Sequence, residues 1–97
     1  MARIDIAAID SAMLGEANAL EDVFLQLGLM YSTGTEIPID YVAAHKWFNL
    51  AAMRGNADAM RLRRELAESM SDAEIAAAQR AARDWLRTEG RVTRVAA

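Results

Sequence analysis

His45 is the only histidine in the sequence and the one side chain whose ordinary pKa suits proton transfer near neutral pH. It has no company. Cysteine is absent, which excludes thiolate chemistry and disulfides, and a metal site would need several nitrogen or sulfur ligands that are missing here. On the helical pattern around it His45 falls between the apolar positions, so it is expected at the surface. The carboxylates do not pair for acid–base work: Glu21 and Asp22 are adjacent and diverge around a helix, while Asp40 and Asp72 stand where helix starts need capping. Gly28 lies within a helical pattern and Gly34 at a helix end; neither follows a strand, as a phosphate loop would require. No catalytic, cofactor-binding or metal-ligating residue emerges. The expectation is a protein that is not an enzyme and carries no cofactor.

The remaining chemistry is that of surfaces. Arg80, Arg83 and Arg87 share one helix face, continued by Arg91 and Arg94. Such a stripe is a solvated face, a contact for an acidic protein surface, or a nucleic-acid contact. Asp84 stands within reach of both Arg80 and Arg87, and cations are favoured near a helix C-terminus. With a sequence pI near 5.0, nucleic acid is not expected. Met30, Met53, Met60 and Met70 fall at helical spacings, which favours core filling over an adaptable binding surface.

The elements that position these residues are helices. Asp40 is a good N-cap, and after it Tyr41, Ala44, Trp47, Phe48, Leu50, Ala51 and Ala52 recur at spacings of three and four until Gly55. Before it, Leu20, Val23, Phe24, Leu27 and Tyr31 form one stripe and Leu25 with Leu29 another, on nearly the opposite side. A helix apolar all round needs cover on both sides. Residues 20–55 therefore read as a helical hairpin closed by Gly34 and Pro38, in which Trp47, Phe48 and the alanines pack against the Leu27/Tyr31 side. Asn56 opens a helix over 56–69 with Ala59, Leu62, Leu66 and Met70 on one line, and Arg61–Glu65 and Arg64–Glu68 pairs on the other. Ser71-Asp72-Ala73-Glu74 fits a capping box and begins a helix over 71–89, apolar at Ile75, Ala78, Ala82, Trp85 and Leu86. Gly90 is expected to end it, leaving 90–97 as a tail, and Gly15 to Ala19 reads as a turn region.

The series Leu27-Gly28, Tyr31, Gly34, Asp40, Ala44, Trp47-Phe48, Ala51-Ala52, Gly55, Ala59 resembles the Sel-one-like repeat, a relative of the tetratricopeptide repeat. The resemblance covers about a third to two fifths of the chain. It implies an all-α fold: a short α-solenoid, a right-handed stack of helical hairpins with N- and C-terminal capping helices. The chain departs from the family pattern at Glu36, where a second loop glycine is usual, at Val23, where Ala is usual, and at Arg63-Arg64, where the next Leu-Gly is expected, with Ala67 in place of the Tyr. The second repeat is started and not completed. For function the family implies scaffold or adaptor roles in bacterial assemblies or signalling.

Ninety-seven residues make a single domain, 1–97, able to bury roughly 60–65% of its unfolded surface. A lone repeat is rarely stable, so flanking helices or a second chain must cover it, and a homodimer or membership of a larger complex is expected. Residues 5–17 read as an N-terminal helix with Ile6 and Ile9 on one face, which either covers Leu25 and Leu29 or leaves them to a partner helix. The formal charge is −3, with Arg3 and Lys46 against seven acids in 1–53 and nine arginines against seven acids in 54–97. No apolar run has the length of a signal peptide or membrane span, which points to a soluble cytoplasmic protein. The function expected is a non-catalytic protein-interaction module, with Ile6, Ile9, Leu25, Leu29, Arg80, Arg83 and Arg87 as candidate contacts. The alternative is a structural accessory subunit of a larger enzyme complex, and a nucleic-acid-associated protein comes third.

Overall fold

A computed structural model describes residues 17–96, and the surroundings of side chains 20–89. The expected helix over 5–17, with its Ile6/Ile9 face, lies outside the described residues, apart from Ala17. The described residues form four successive helices: α1 (Ala17–Thr33), α2 (Tyr41–Met53), α3 (Ala57–Ala67) and α4 (Asp72–Ala96). Among the described residues there is no strand, so this part of the chain is all-α. None of the described helices is long and apolar enough to cross a membrane.

The helix starts obey local chemistry. Asp40 is extended, and its carboxylate accepts from the Ala43 N–H at 3.1 Å. At the other end of α2, the Gly55 N–H donates to Ala52 O and the Asn56 N–H to Ala51 O. That pair of bonds is a Schellman cap, with Gly55 left-handed at φ +97°. Asn56 then turns to α3: its Oδ1 accepts from the Ala59 N–H at 2.7 Å, and its Nδ2 lies 3.5 Å from Glu21 Oε1 on α1. At α4, Ser71 Oγ accepts from the Glu74 N–H, and the Ser71 N–H donates to Glu74 Oε1 at 2.8 Å. This is the reciprocal capping box.

Helix ends are where the structure departs from the pattern. Residues 17–19 of the expected turn region are already helical, part of α1, as the helix propensity of Ala17 and Ala19 allows. α3 stops at Ala67, two residues short of the expected 69; Glu68, Ser69 and Met70 close tighter turns onto Glu65, Leu66 and Ala67. α4 runs through Gly90 to Ala96, so residues 90–96 are helix rather than tail. A glycine inside a helix costs only about 1 kcal/mol relative to alanine and stops one only where the chain turns left-handed.

α2 is the hub: α1, α3 and α4 each pack broadly against it, and no other pair of described helices does so. Its seam with α1 is closed by Phe48, only 1% exposed, whose ring lies so close to Gly28 that a β-carbon there would overlap it. Ala44, Ala51, Ala59, Ala78 and Ala82 are buried, and their small side chains permit close helix contacts. Phe24, Trp47 and Trp85 form an aromatic triad with centroids 5.3–5.8 Å apart, bringing α4 onto the hairpin. Of the four methionines read as core, Met30 and Met70 are buried, whereas Met53 is 61% and Met60 40% exposed. Met53 ends α2, and α3 turns Ala59 rather than Met60 toward the core.

Candidate partner-binding cleft

α3 and α4 both lean on α2 but scarcely on each other, and between them lies a cleft of about 420 Å³. His45 and Asn49 of α2 line it, with Arg63, Arg64 and Ala67 of α3 on one wall and Ile75 and Gln79 of α4 on the other. His45 is not the surface residue that its position in the α2 pattern suggested: it is 3% exposed. A helix covered by three neighbours buries more than its apolar stripe, and His45 falls in the sector that α3 and α4 close.

Among the described residues the His45 Nδ1 is buried and has no hydrogen-bond partner. Burial holds the His45 pKa below its ordinary value, and the Arg63 guanidinium adds to that effect, so the ring is neutral at pH 7. Arg63 Nη1 donates to Asn49 Oδ1 at 2.6 Å, which fixes the guanidinium at the edge of the cleft. Neither Arg63 nor Arg64 makes an ion pair among the described residues, and no carboxylate lines the cleft. The expected Arg64–Glu68 pair is not formed, while Arg61 reaches both Asp58 and Glu65. Two guanidinium groups, two amides and a neutral imidazole make a receptor for an anion. No group of three or more His, Asp or Glu side chains is placed to hold a metal among the described residues.

The residues singled out from sequence lie elsewhere. Arg80, Arg83 and Arg87 are exposed on α4, and none lines the cleft. Asp84 pairs with Arg87 and not with Arg80; both partners of that pair are well exposed, so it contributes little. Leu25 is half-buried and packs against the core cluster, and Leu29 is half-buried on α1. The residues missed were His45, Asn49, Arg63, Arg64 and Gln79. The available signal was Arg63-Arg64 itself: two adjacent long charged side chains do not close into a tight apolar seam.

Comparison with family models, with curated proteins and with solved structures returns no match for this chain.

Proposed function

We propose that the chain is a non-catalytic protein-interaction module, a short solenoid resembling one Sel-one-like repeat closed by flanking helices, which binds an acidic protein surface in the cytoplasm. The resemblance is supported by the seam it would require: Phe48 over Gly28, Asp40 capping α2 and Gly55 ending it. The observation that carries the functional reading is a set of arginines on the later helices without ion-pair partners among the described residues. Arg63 and Arg64 in the cleft and Arg80 and Arg83 on α4 have no ion-pair partner among the described residues of a chain whose net charge is −3. Exposed cations without partners orient an incoming acidic surface and speed its encounter. Co-purification from native lysate, followed by mass spectrometry and sizing, tests this. A stoichiometric polypeptide partner, released by raised salt, is the expected result. A stable monomer that recovers no partner at low ionic strength argues against the module.

A further inference from the structure

We infer that the cleft between α3 and α4 is a receptor for a single carboxylate, presented by an acidic side chain of a partner polypeptide. Three observations converge on it. The first is charge: Arg63 and Arg64 face a space lined by no acid, and a planar guanidinium matches the two oxygens of a carboxylate. The second is polarity: His45, whose Nδ1 is buried without a hydrogen-bond partner among the described residues, stands in the cleft lining beside the amides of Asn49 and Gln79. Its helix neighbour Asn49 is already engaged by Arg63. The third is shape. About 420 Å³ is of the order of a small-ligand pocket, and Ala67 and Ile75 give it an apolar stretch suited to the methylenes of a glutamate stem.

A nucleic acid fits these observations less well. A net charge of −3 repels a polyanion at a distance, and two guanidiniums in a recess do not follow a phosphate backbone. The inference rests on the interaction-module reading for the nature of the occupant only. Its test uses purified protein and a synthetic probe, so it can fail while partner recovery from lysate succeeds.

Because His45 is the only histidine, its ring signals in a proton–carbon NMR spectrum belong to one residue without further assignment. The probe is the tripeptide acetyl-Ala-Glu-Ala-amide, with acetyl-Ala-Gln-Ala-amide and inorganic phosphate as the other arms. The Glu peptide should shift the His45 signals saturably, with a dissociation constant on the order of 1 mM. The Gln peptide should not. Arg64→Gln, at an exposed position that leaves the fold intact, should weaken binding about tenfold or more, as should Arg63→Gln. No saturable shift, an equal response to the Gln peptide, or tighter binding of phosphate than of the Glu peptide would each overturn the carboxylate assignment. So would full affinity in Arg64→Gln.

Discussion

Leu27-Gly28 on α1 and Arg63-Arg64 on α3 lie thirty-six residues apart in the sequence and leave opposite surfaces. At the first, the missing β-carbon of Gly28 lets the Phe48 ring lie against the helix backbone, and the seam is dry and closed. At the second, two charged side chains line one wall of an open cleft. On α2, Ala44 and Phe48 are buried and Trp47 half-buried, whereas on α4 Arg80, Arg83 and Asp84 are exposed. The small and aromatic side chains of α4, Ala82 and Trp85, pack into the core cluster of the hairpin instead of closing α4 onto α3. One hairpin is built to hold itself together, and the following pair of helices is built to lean on it and stay open.

The comparison can be broken most forcefully at Phe48. Phe48→Ala should cost about 3–5 kcal/mol, a large part of the roughly 5–15 kcal/mol that holds a small domain folded. Urea unfolding followed by circular dichroism would report it, and the midpoint should collapse. Arg64→Ala on the open side should move the same midpoint by no more than about 0.5 kcal/mol. If the two changes cost alike, the contrast between seam and cleft is wrong.

Gly28→Ala should destabilise by about 1–3 kcal/mol despite alanine's better helix propensity, because its methyl group would overlap the Phe48 ring and that ring has nowhere to go. A thermal melt that rises instead would mean that the seam has slack.

His45 sharpens the other half. Its folded pKa lies below the ordinary 6.5, so between that lowered value and about 6.5 the unfolded chain binds more protons than the folded one. The His45 contribution is therefore intact above about pH 6.5 and is lost as the pH falls, with a slope of at most about 1.4 kcal/mol per pH unit. Measured as the difference from His45→Leu, which removes the ionisation and the unpartnered nitrogen together, the profile should slope on the acid side and flatten above neutrality. A difference that does not vary with pH would remove His45 from the cleft's electrostatics.

The smallest effect is expected away from both regions. Glu36 holds a left-handed backbone, φ +69°, in the α1–α2 loop, where a glycine would be unstrained. Glu36→Gly should gain about 0.5–1 kcal/mol, read as a small rise in melting temperature. A fall would show that the Glu36 side chain contributes something the backbone angle does not reveal.

The parts of this fold legible in the sequence are those decided within a few residues. Asp40, Asn56 and Ser71 cap the helices they precede, and Gly34 and Gly55 adopt the positive φ that only local geometry demands. The pairing of α1 with α2 was readable for the same reason, since one short loop joins two apolar stripes. The surroundings of His45 were not. Its burial depends on α3 and α4 arriving from eighteen or more residues away, and nothing within a turn of His45 records them. Met53 and Met60 fit a core spacing, but spacing alone does not say which side of a helix the neighbours take. Gly90 looked like a stop because composition cannot distinguish a helical glycine from a left-handed one.

Asn56 joins three helices through one residue. Its backbone N–H finishes α2, its Oδ1 starts α3, and its Nδ2 reaches toward Glu21 of α1. The end of one helix and the beginning of the next thus share an anchor, and α3 cannot peel off as a separate unit of local opening. Amide exchange at Ala59 should keep pace with the slow protons of α2, and a protease should find its first cut beyond Met70 rather than at Gly55. The cooperative block of the molecule thus extends through α3, past the seam that Phe48 closes.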